Sequence, residues 1–157
     1  QFRTWADLAW NPEPPVYFGF SDGWVSRFVS EDEIVAKPDV LLDDPIAPQV
    51  RLISHILGYQ HQNDVNIDNL VNFLVDTYSL SNDVGISLQH ELDNNLPSGC
   101  VIRFNPVLFE KDGRKGYIAF NQHYLLEASA PMTDFYQYAD ILFWSAESFH
   151  SLDDNCS

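Results

Sequence analysis

The sequence predicts an α+β fold, in which a mainly antiparallel sheet is built from two hairpins and covered by about four helices. Two observations predict it. Asp-Gly turn signals occur twice between β-prone apolar runs, and helical periodicity occupies the residues between them. Strands grouped in hairpins, with helices grouped between them, are typical of this class. The predicted order of elements is ββ-ααα-ββ-α, and the length of 157 residues fits a single domain, 1–157.

The second hairpin, in residues 100–126, organises the prediction. Its turn is Asp112-Gly113, and this dipeptide favours the type I′ turn, which needs positive φ at both central residues. Both faces of the hairpin are apolar, so we expect a covering layer on each side. A two-residue loop pairs Lys111 with Arg114, Glu110 with Lys115, Leu108 with Tyr117, and Val107 with Ile118.

The first hairpin is predicted from residues 16–20 and 24–29, which are aromatic runs on either side of Asp22-Gly23. Residues 1–15 before it form a segment rich in Trp and Pro. Residues 31–47 after it are acidic and interrupted by prolines, which predicts an irregular surface loop.

Helical periodicity is clearest in residues 66–79, where apolar residues recur at i, i+3, i+4, i+7, i+8 and i+11. Residues 48–57 and 84–93 give two further predicted helices. A fourth helix is predicted to begin after residue 134, although residues 141–144 also fit a strand followed by a short helix. Residues 152–157 are predicted to be a loose tail.

Charge is the most unusual bulk property of the chain. Asp and Glu number 23 against 8 Lys and Arg, which gives a formal net charge of −15. No Lys or Arg occurs between Arg51 and Arg103, and none follows Lys115. Such a chain repels nucleic acid and anionic membrane surfaces, and it attracts basic partners. We therefore expect no direct nucleic-acid binding.

Acidic clusters inside a proline-held loop are the candidate contacts for a basic partner, and an aromatic residue of the first hairpin is the candidate anchor. The predicted partner-binding residues are Glu31, Asp32, Glu33, Asp43, Asp44 and Trp24.

Motifs for catalysis or cofactor binding are missing, so no catalytic residue, metal site or cofactor is predicted. Residues 64–69 resemble the start of a calcium loop, but the sixth position is Asn69 rather than Gly, and the twelfth is Val75 rather than Glu. The five histidines have no metal-binding spacing. Cys100 and Cys156 fit either two free thiols or one disulfide.

The leading hypothesis is a small acidic protein that neutralises or escorts a basic protein, such as an immunity protein, an inhibitor or a nucleic-acid mimic. One alternative is an enzyme with a site assembled from dispersed residues such as His90, His123 and Asp140. Another is an accessory subunit of a larger assembly. No apolar run approaches the ~20 residues of a membrane helix, so we expect a soluble protein, cytoplasmic rather than exported.

Overall fold

The computed structural model describes residues 2–6, 16–54, 56–57, 66–95, 105–121 and 124–151. These residues form one α+β domain with a six-stranded antiparallel sheet and a smaller three-stranded sheet. The strands are β1 (Phe2–Ala6), β2 (Val16–Ser21), β3 (Trp24–Ser30), β4 (Glu33–Pro38), β5 (Gln49–Ser54), β6 (Val107–Lys111), β7 (Arg114–Phe120), β8 (Tyr124–Pro131) and β9 (His150–Ser151). The helices are α1 (Ile67–Tyr78), α2 (Asn82–Asn95) and α3 (Phe135–Ser148), with a 3₁₀ helix at Asp39–Leu41.

The hairpin around Asp112-Gly113 is confirmed in detail. Asp112 has φ 53° and Gly113 has φ 79°, as a type I′ turn requires. The observed pairs between β6 and β7 are Lys111 with Arg114, Glu110 with Lys115, Leu108 with Tyr117, and Val107 with Ile118.

The turn at Asp22-Gly23 connects two sheets instead of closing a hairpin. The large sheet has the order β3-β4-β5-β8-β7-β6, whereas β2 lies between β1 and β9 in the small sheet. Only Gly23 has positive φ, at 86°, so the turn lacks the type I′ geometry that would pair its flanking strands. Gly23 instead accepts a hydrogen bond from the backbone N–H of Asp39, at 2.9 Å, which ties this corner to the end of β4.

The large sheet is covered on both faces, as the apolar faces of the β6–β7 hairpin predict, although this hairpin lies at the edge of the sheet and Leu108 on its edge strand is 51% exposed. On one face, α3 and β2 pack over alternate residues of β5 and β8, including Leu52 and Leu126. Ser148 Oγ on α3 accepts a hydrogen bond from the Gly19 N–H of β2, at 2.7 Å. On the other face, α1 and α2 pack over Ile118, Phe120 and Leu125.

Helix α1 forms where the periodicity predicts it. Its N-cap, Asn66, accepts a hydrogen bond from the Asn69 N–H, and the helix ends at Ser79, whose φ of 52° is left-handed. Leu70, Leu74 and Tyr78 are buried along one side. Helix α3 is continuous through residues 141–144, so the alternative strand prediction for those residues is wrong.

The predicted helix over residues 48–57 is wrong, because residues 49–54 form β5. Val50, Leu52 and Ser54 are buried alternately with more exposed residues, which is the two-residue period of a strand. The chain therefore has three α-helices among its described residues rather than four, and the predicted element order fails with the missing helix.

The predicted surface loop at residues 31–47 is also wrong in part. It contains strand β4, which pairs with both β3 and β5 inside the large sheet, followed by the 3₁₀ helix. The apolar triplet Ile34, Val35 and Ala36 is buried in the sheet, and this triplet explains the strand.

Candidate functional site: an acidic surface with internally bound bases

Exposed carboxylates dominate the described surface, and from residue 16 onward Arg27 is the only exposed Lys or Arg in the described ranges. The other bases of those ranges, Lys37, Arg51, Lys111, Arg114 and Lys115, are partly buried. The exposed acidic residues are Asp22, Glu31, Asp39, Asp43, Asp68, Asp76, Asp83, Glu91, Asp93, Glu110, Asp112 and Asp140.

Three bases hold the segment that follows β4 against the sheet. Arg27 donates to the Leu42 carbonyl oxygen at 3.2 Å, and Lys37 donates to that of Asp44 at 2.8 Å. Arg114 donates to the carbonyl oxygens of Ile46 and Ala47, at 3.0 and 2.9 Å. Backbone carbonyls near the acidic residues of this segment therefore bind the cations, and the Asp43 carboxylate stays in solvent.

Arg51 belongs to a partly buried network of charged groups on the face of the large sheet that α1 covers. Its Nε donates to Glu33 at 2.9 Å, and its Nη1 lies 3.3 Å from Glu127 Oε2. The Tyr78 hydroxyl, from α1, donates to that same Glu127 oxygen at 2.7 Å. The Glu127 side chain is only 9% exposed. These donors therefore replace the hydrogen bonds that water would make to an exposed carboxylate.

The network perturbs the proton affinities of its members. Burial raises the pKa of Tyr78 well above its ordinary value of 10.0, and the adjacent Glu127 charge raises it further. Burial alone would lower the pKa of Arg51, but the hydrogen bond to Glu33 and the charges of Glu127 and Glu33 outweigh it and raise that pKa. Burial lowers the pKa of Arg114, although Glu127 and Asp44 oppose the change.

The two remaining described lysines are also engaged. Lys111 donates to the carbonyl oxygens of Asp76 and Thr77, at 3.3 and 2.7 Å, near the C-terminus of α1. A cation is favourable there because the helix dipole places negative partial charge at that end. The Lys115 Nζ lies 5.0 Å from the ring centre of Phe135 and 5.3 Å from that of Tyr136.

The pair α1 and α2 is the most one-sided part of this surface. Residues 66–95 contain no Lys or Arg, and their acidic side chains are all exposed. These residues are Asp68, Asp76, Asp83, Glu91 and Asp93. The absence of bases between Arg51 and Arg103 was the sequence signal for this face, but the sequence prediction placed the binding residues elsewhere.

The acidic residues predicted to bind a partner lie in two separate places. Glu31 and Asp32 form the turn from β3 to β4, whereas Asp43 and Asp44 follow the other end of β4. Glu31 is exposed, and the Asp43 side chain is 97% exposed, with Arg27 at 3.8 Å.

The other three predicted carboxylates have structural partners. Asp32 accepts a hydrogen bond from the Ser54 hydroxyl at 3.1 Å, and Glu33 pairs with Arg51. Asp44 accepts from the Ile46 backbone N–H at 3.0 Å.

Trp24 belongs to the hydrophobic core. It is 5% exposed, and its ring meets that of Tyr138 edge-on at 6.3 Å. Its position at the start of β3, facing α3, buries it, so Trp24 has no exposed ring to offer as an anchor.

Exposed aromatic residues lie on α3 and, at Phe28, on β3. Tyr136 is 80% exposed and Trp144 is 54% exposed, with the exposed Asp140 between them. Their spacing of four residues places the three side chains on one side of the helix. The sequence signal for this exposed face was the same four-residue spacing. It is hard to recognise because the surrounding residues of α3 form a wide apolar stripe.

The residues considered for catalysis do not converge in the described structure. His90 is exposed on α2 and lies 3.1 Å from the Asn94 side chain, and Asp140 is exposed on α3. His123 lies outside the described residues. Within the described ranges, no group of three or more His, Cys, Asp or Glu residues is arranged to hold a metal ion.

No known protein family matches the sequence, and no curated protein is significantly similar to it. None of the helices in the described part of the chain has the length and apolar character needed to cross a membrane.

Proposed function

We propose that this chain is a small acidic binding protein that captures a basic protein partner. The observation that supports it most directly is the imbalance of the surface described from residue 16 onward, where exposed carboxylates are numerous and Arg27 is the only exposed base. Inhibitors, immunity proteins and nucleic-acid mimics are the specific classes that share this logic.

The proposal also depends on the contacts that the Lys and Arg side chains make within the chain. Arg27, Lys37, Arg51, Lys111, Arg114 and Lys115 all contact groups within the chain. Most of them bind backbone carbonyl oxygens or buried groups, and residues 66–95 carry exposed carboxylates without any Lys or Arg of their own. The field of such a surface accelerates encounter with an oppositely charged protein and suppresses encounter with like-charged ones.

The set of predicted residues that can steer a basic partner toward the chain is smaller than the sequence predicts. Glu31 and Asp43 remain candidates because they are exposed. Asp32, Glu33 and Asp44 stabilise the fold through their own hydrogen bonds, so changing them would confuse binding with stability. We add Asp76 and Asp93 as steering residues on the helical pair.

The first test is capture of proteins from a lysate of the source organism on the immobilised chain at low and high salt, followed by identification of the captured proteins. We expect a protein of high isoelectric point that elutes as salt is raised, because the Debye length falls to about 10 Å at 0.1 M salt. If the captured proteins are predominantly acidic or neutral, or if salt has no effect on their elution, the proposal fails.

The second test uses association kinetics with that captured protein. The double reversal Asp76→Lys and Asp93→Lys should slow association by roughly tenfold at low salt, and far less at high salt. Both sites lie toward helix C-termini, where a cation is compatible with the dipole, so stability should be preserved.

The matched control is the neutral pair Asn72→Gln and Ser87→Thr, on exposed positions of the same helices. It should leave the association rate unchanged. Equal rates for the reversal, the control and the unmodified chain would show that the acidic face has no part in binding.

A further inference from the structure

The outer side of α3 presents large rings that the fold does not bury. Tyr136 and Trp144 are exposed, and Met132, just before the helix, is 41% exposed. Exposed aromatic residues of this size are common in binding surfaces, and Trp and Tyr are enriched among the residues that dominate binding energy.

Each of these rings contacts the ring of a neighbouring residue on the helix. Tyr136 meets the buried Phe135 edge-on at 5.4 Å, and Trp144 meets Phe143 edge-on at 6.2 Å. Phe143 in turn contacts Tyr117 of the sheet at 5.2 Å. A ring that is already positioned loses little conformational entropy on binding, so this face is pre-organised.

The charge around the rings specifies the kind of partner. Helix α3 contains Asp140 and Glu147 and no Lys or Arg. The lysine that does approach, Lys115, lies against the Phe135 and Tyr136 rings at 5.0 and 5.3 Å, so this face already binds one cation of the chain itself. Rings and carboxylates at neighbouring positions are the groups that a guanidinium contacts by stacking and by paired hydrogen bonds.

We infer that the Tyr136–Asp140–Trp144 face of α3 is the docking surface for arginine side chains of a basic protein segment. The inference rests on the proposed function and adds to it the surface and the recognised chemistry. A second copy of the chain is a poorer occupant, because two faces of the same negative charge would meet in a molecule whose net charge is −15.

The test uses fluorescein-labelled oligo-arginine and oligo-lysine peptides of equal length, titrated with the full chain and followed by fluorescence anisotropy. Trp144→Ala, Tyr136→Ala and Asp140→Asn are each compared with controls on α2. Asp83→Asn removes one exposed charge, as Asp140→Asn does, and Ile86→Ala removes an exposed apolar side chain. Circular dichroism confirms that each variant is folded, and Asp140→Asn remains informative if an aromatic variant does not fold.

We expect the oligo-arginine peptide to bind more tightly than oligo-lysine. Each α3 variant should weaken oligo-arginine binding by roughly fivefold or more, which is the scale of one well-placed cation–π or charge contact. The α2 controls should change it by less than about twofold. Trp144→Ala should also reduce the difference in affinity between oligo-arginine and oligo-lysine.

Three results would overturn the inference. One is oligo-arginine binding that Asp83→Asn and Asp140→Asn weaken equally while the aromatic variants leave it unchanged, because binding would then be diffuse attraction to the acidic surface. Another is absence of peptide binding. The third is concentration-dependent dimerisation in sedimentation that Trp144→Ala abolishes, since a second copy would then occupy this face. Each of these results refutes only the docking surface on α3. The proposed function is tested separately, by the salt-dependent capture of a basic protein.

Discussion

The hydrogen bond between Tyr78 and Glu127 is expected to link α1 to the centre of the large sheet energetically. The Tyr78 hydroxyl donates to Glu127 Oε2 at 2.7 Å, and the Glu127 side chain is almost fully buried. We consider two substitutions, Glu127→Ala and Tyr78→Phe, and their combination. A double-mutant cycle isolates the interaction between the two side chains from their other contacts.

The magnitude follows from what each substitution leaves behind. Glu127→Ala removes the ionised acceptor of a buried hydroxyl, which costs ~1.5–3 kcal/mol for a hydrogen bond to a charged group. Arg51 also loses a partner, but it keeps Glu33 at 2.9 Å and is partly exposed, so its contribution is smaller. We expect a total loss of about 2–4 kcal/mol for Glu127→Ala, about 1–3 kcal/mol for Tyr78→Phe, and a coupling of about 1–2 kcal/mol between them.

Urea denaturation followed by circular dichroism measures the free energy of unfolding of all four proteins. Asp93→Ala is the control, because this exposed carboxylate accepts only from the partly buried Gln89 among the hydrogen bonds described, and surface changes usually stay within about 0.5 kcal/mol. A coupling energy below about 0.5 kcal/mol would show that Tyr78 and Glu127 contribute to stability independently despite their 2.7 Å contact, and the reasoning would be refuted.

Three further predictions concern stability and use the same assay. Leu74→Ala, at a fully buried position of α1, should lose ~2–5 kcal/mol, and a loss below about 0.5 kcal/mol would contradict its core position. Gly116→Ala should lose at least about 1–3 kcal/mol, because an added Cβ would collide with the Ala128 carbonyl oxygen and lie 2.6 Å from Ser129 Cα; an unchanged midpoint would contradict this. Because the pKa of Tyr78 is raised in the folded state, its contribution is complete below the ordinary value of 10.0 and is lost as pH rises above it, so wild type should lose more stability above that pH than Tyr78→Phe, and parallel curves would contradict this.

Local signals predicted the parts of the fold that local chemistry determines. The Asp112-Gly113 turn requires positive φ at both residues, so its flanking pairs follow directly from the sequence. Helix α1 combines an amide N-cap at Asn66 with an uninterrupted apolar stripe. In both cases the local preference and the tertiary packing agree.

Two predictions failed because tertiary pairing overrode an ambiguous local signal. In residues 48–57, Ile53, Ile56 and Leu57 have helical spacing, yet β5 forms because β4 and β8 pair with it on either side. The Asp22-Gly23 turn has the same dipeptide as the confirmed hairpin, but β2 and β3 separate into different sheets. Neither pairing is visible from a short window of sequence.

The candidate binding residues divide in a similar way. Exposure of Glu31 and Asp43 agrees with a role in binding, while Trp24 is buried because it faces α3. Sequence shows that the chain is acidic but not which carboxylates have partners. That distinction depends on long-range contacts such as Arg51 with Glu127, which are far apart in sequence and adjacent across two strands.

The placement of the bases bears on the two explanations of an acidic chain, solubility and recognition of a basic partner. A protein that is acidic only for solubility has no need to withdraw its few cations from the surface, since added carboxylates improve solubility by themselves. Here Lys37 and Arg114 bind backbone carbonyls, and Arg51 is enclosed between two glutamates. Helices α1 and α2 meanwhile carry five exposed carboxylates and no Lys or Arg of their own, which gives that part of the surface an excess of negative charge. If Asp76→Lys and Asp93→Lys preserve stability yet slow association with the partner, that excess serves recognition rather than solubility.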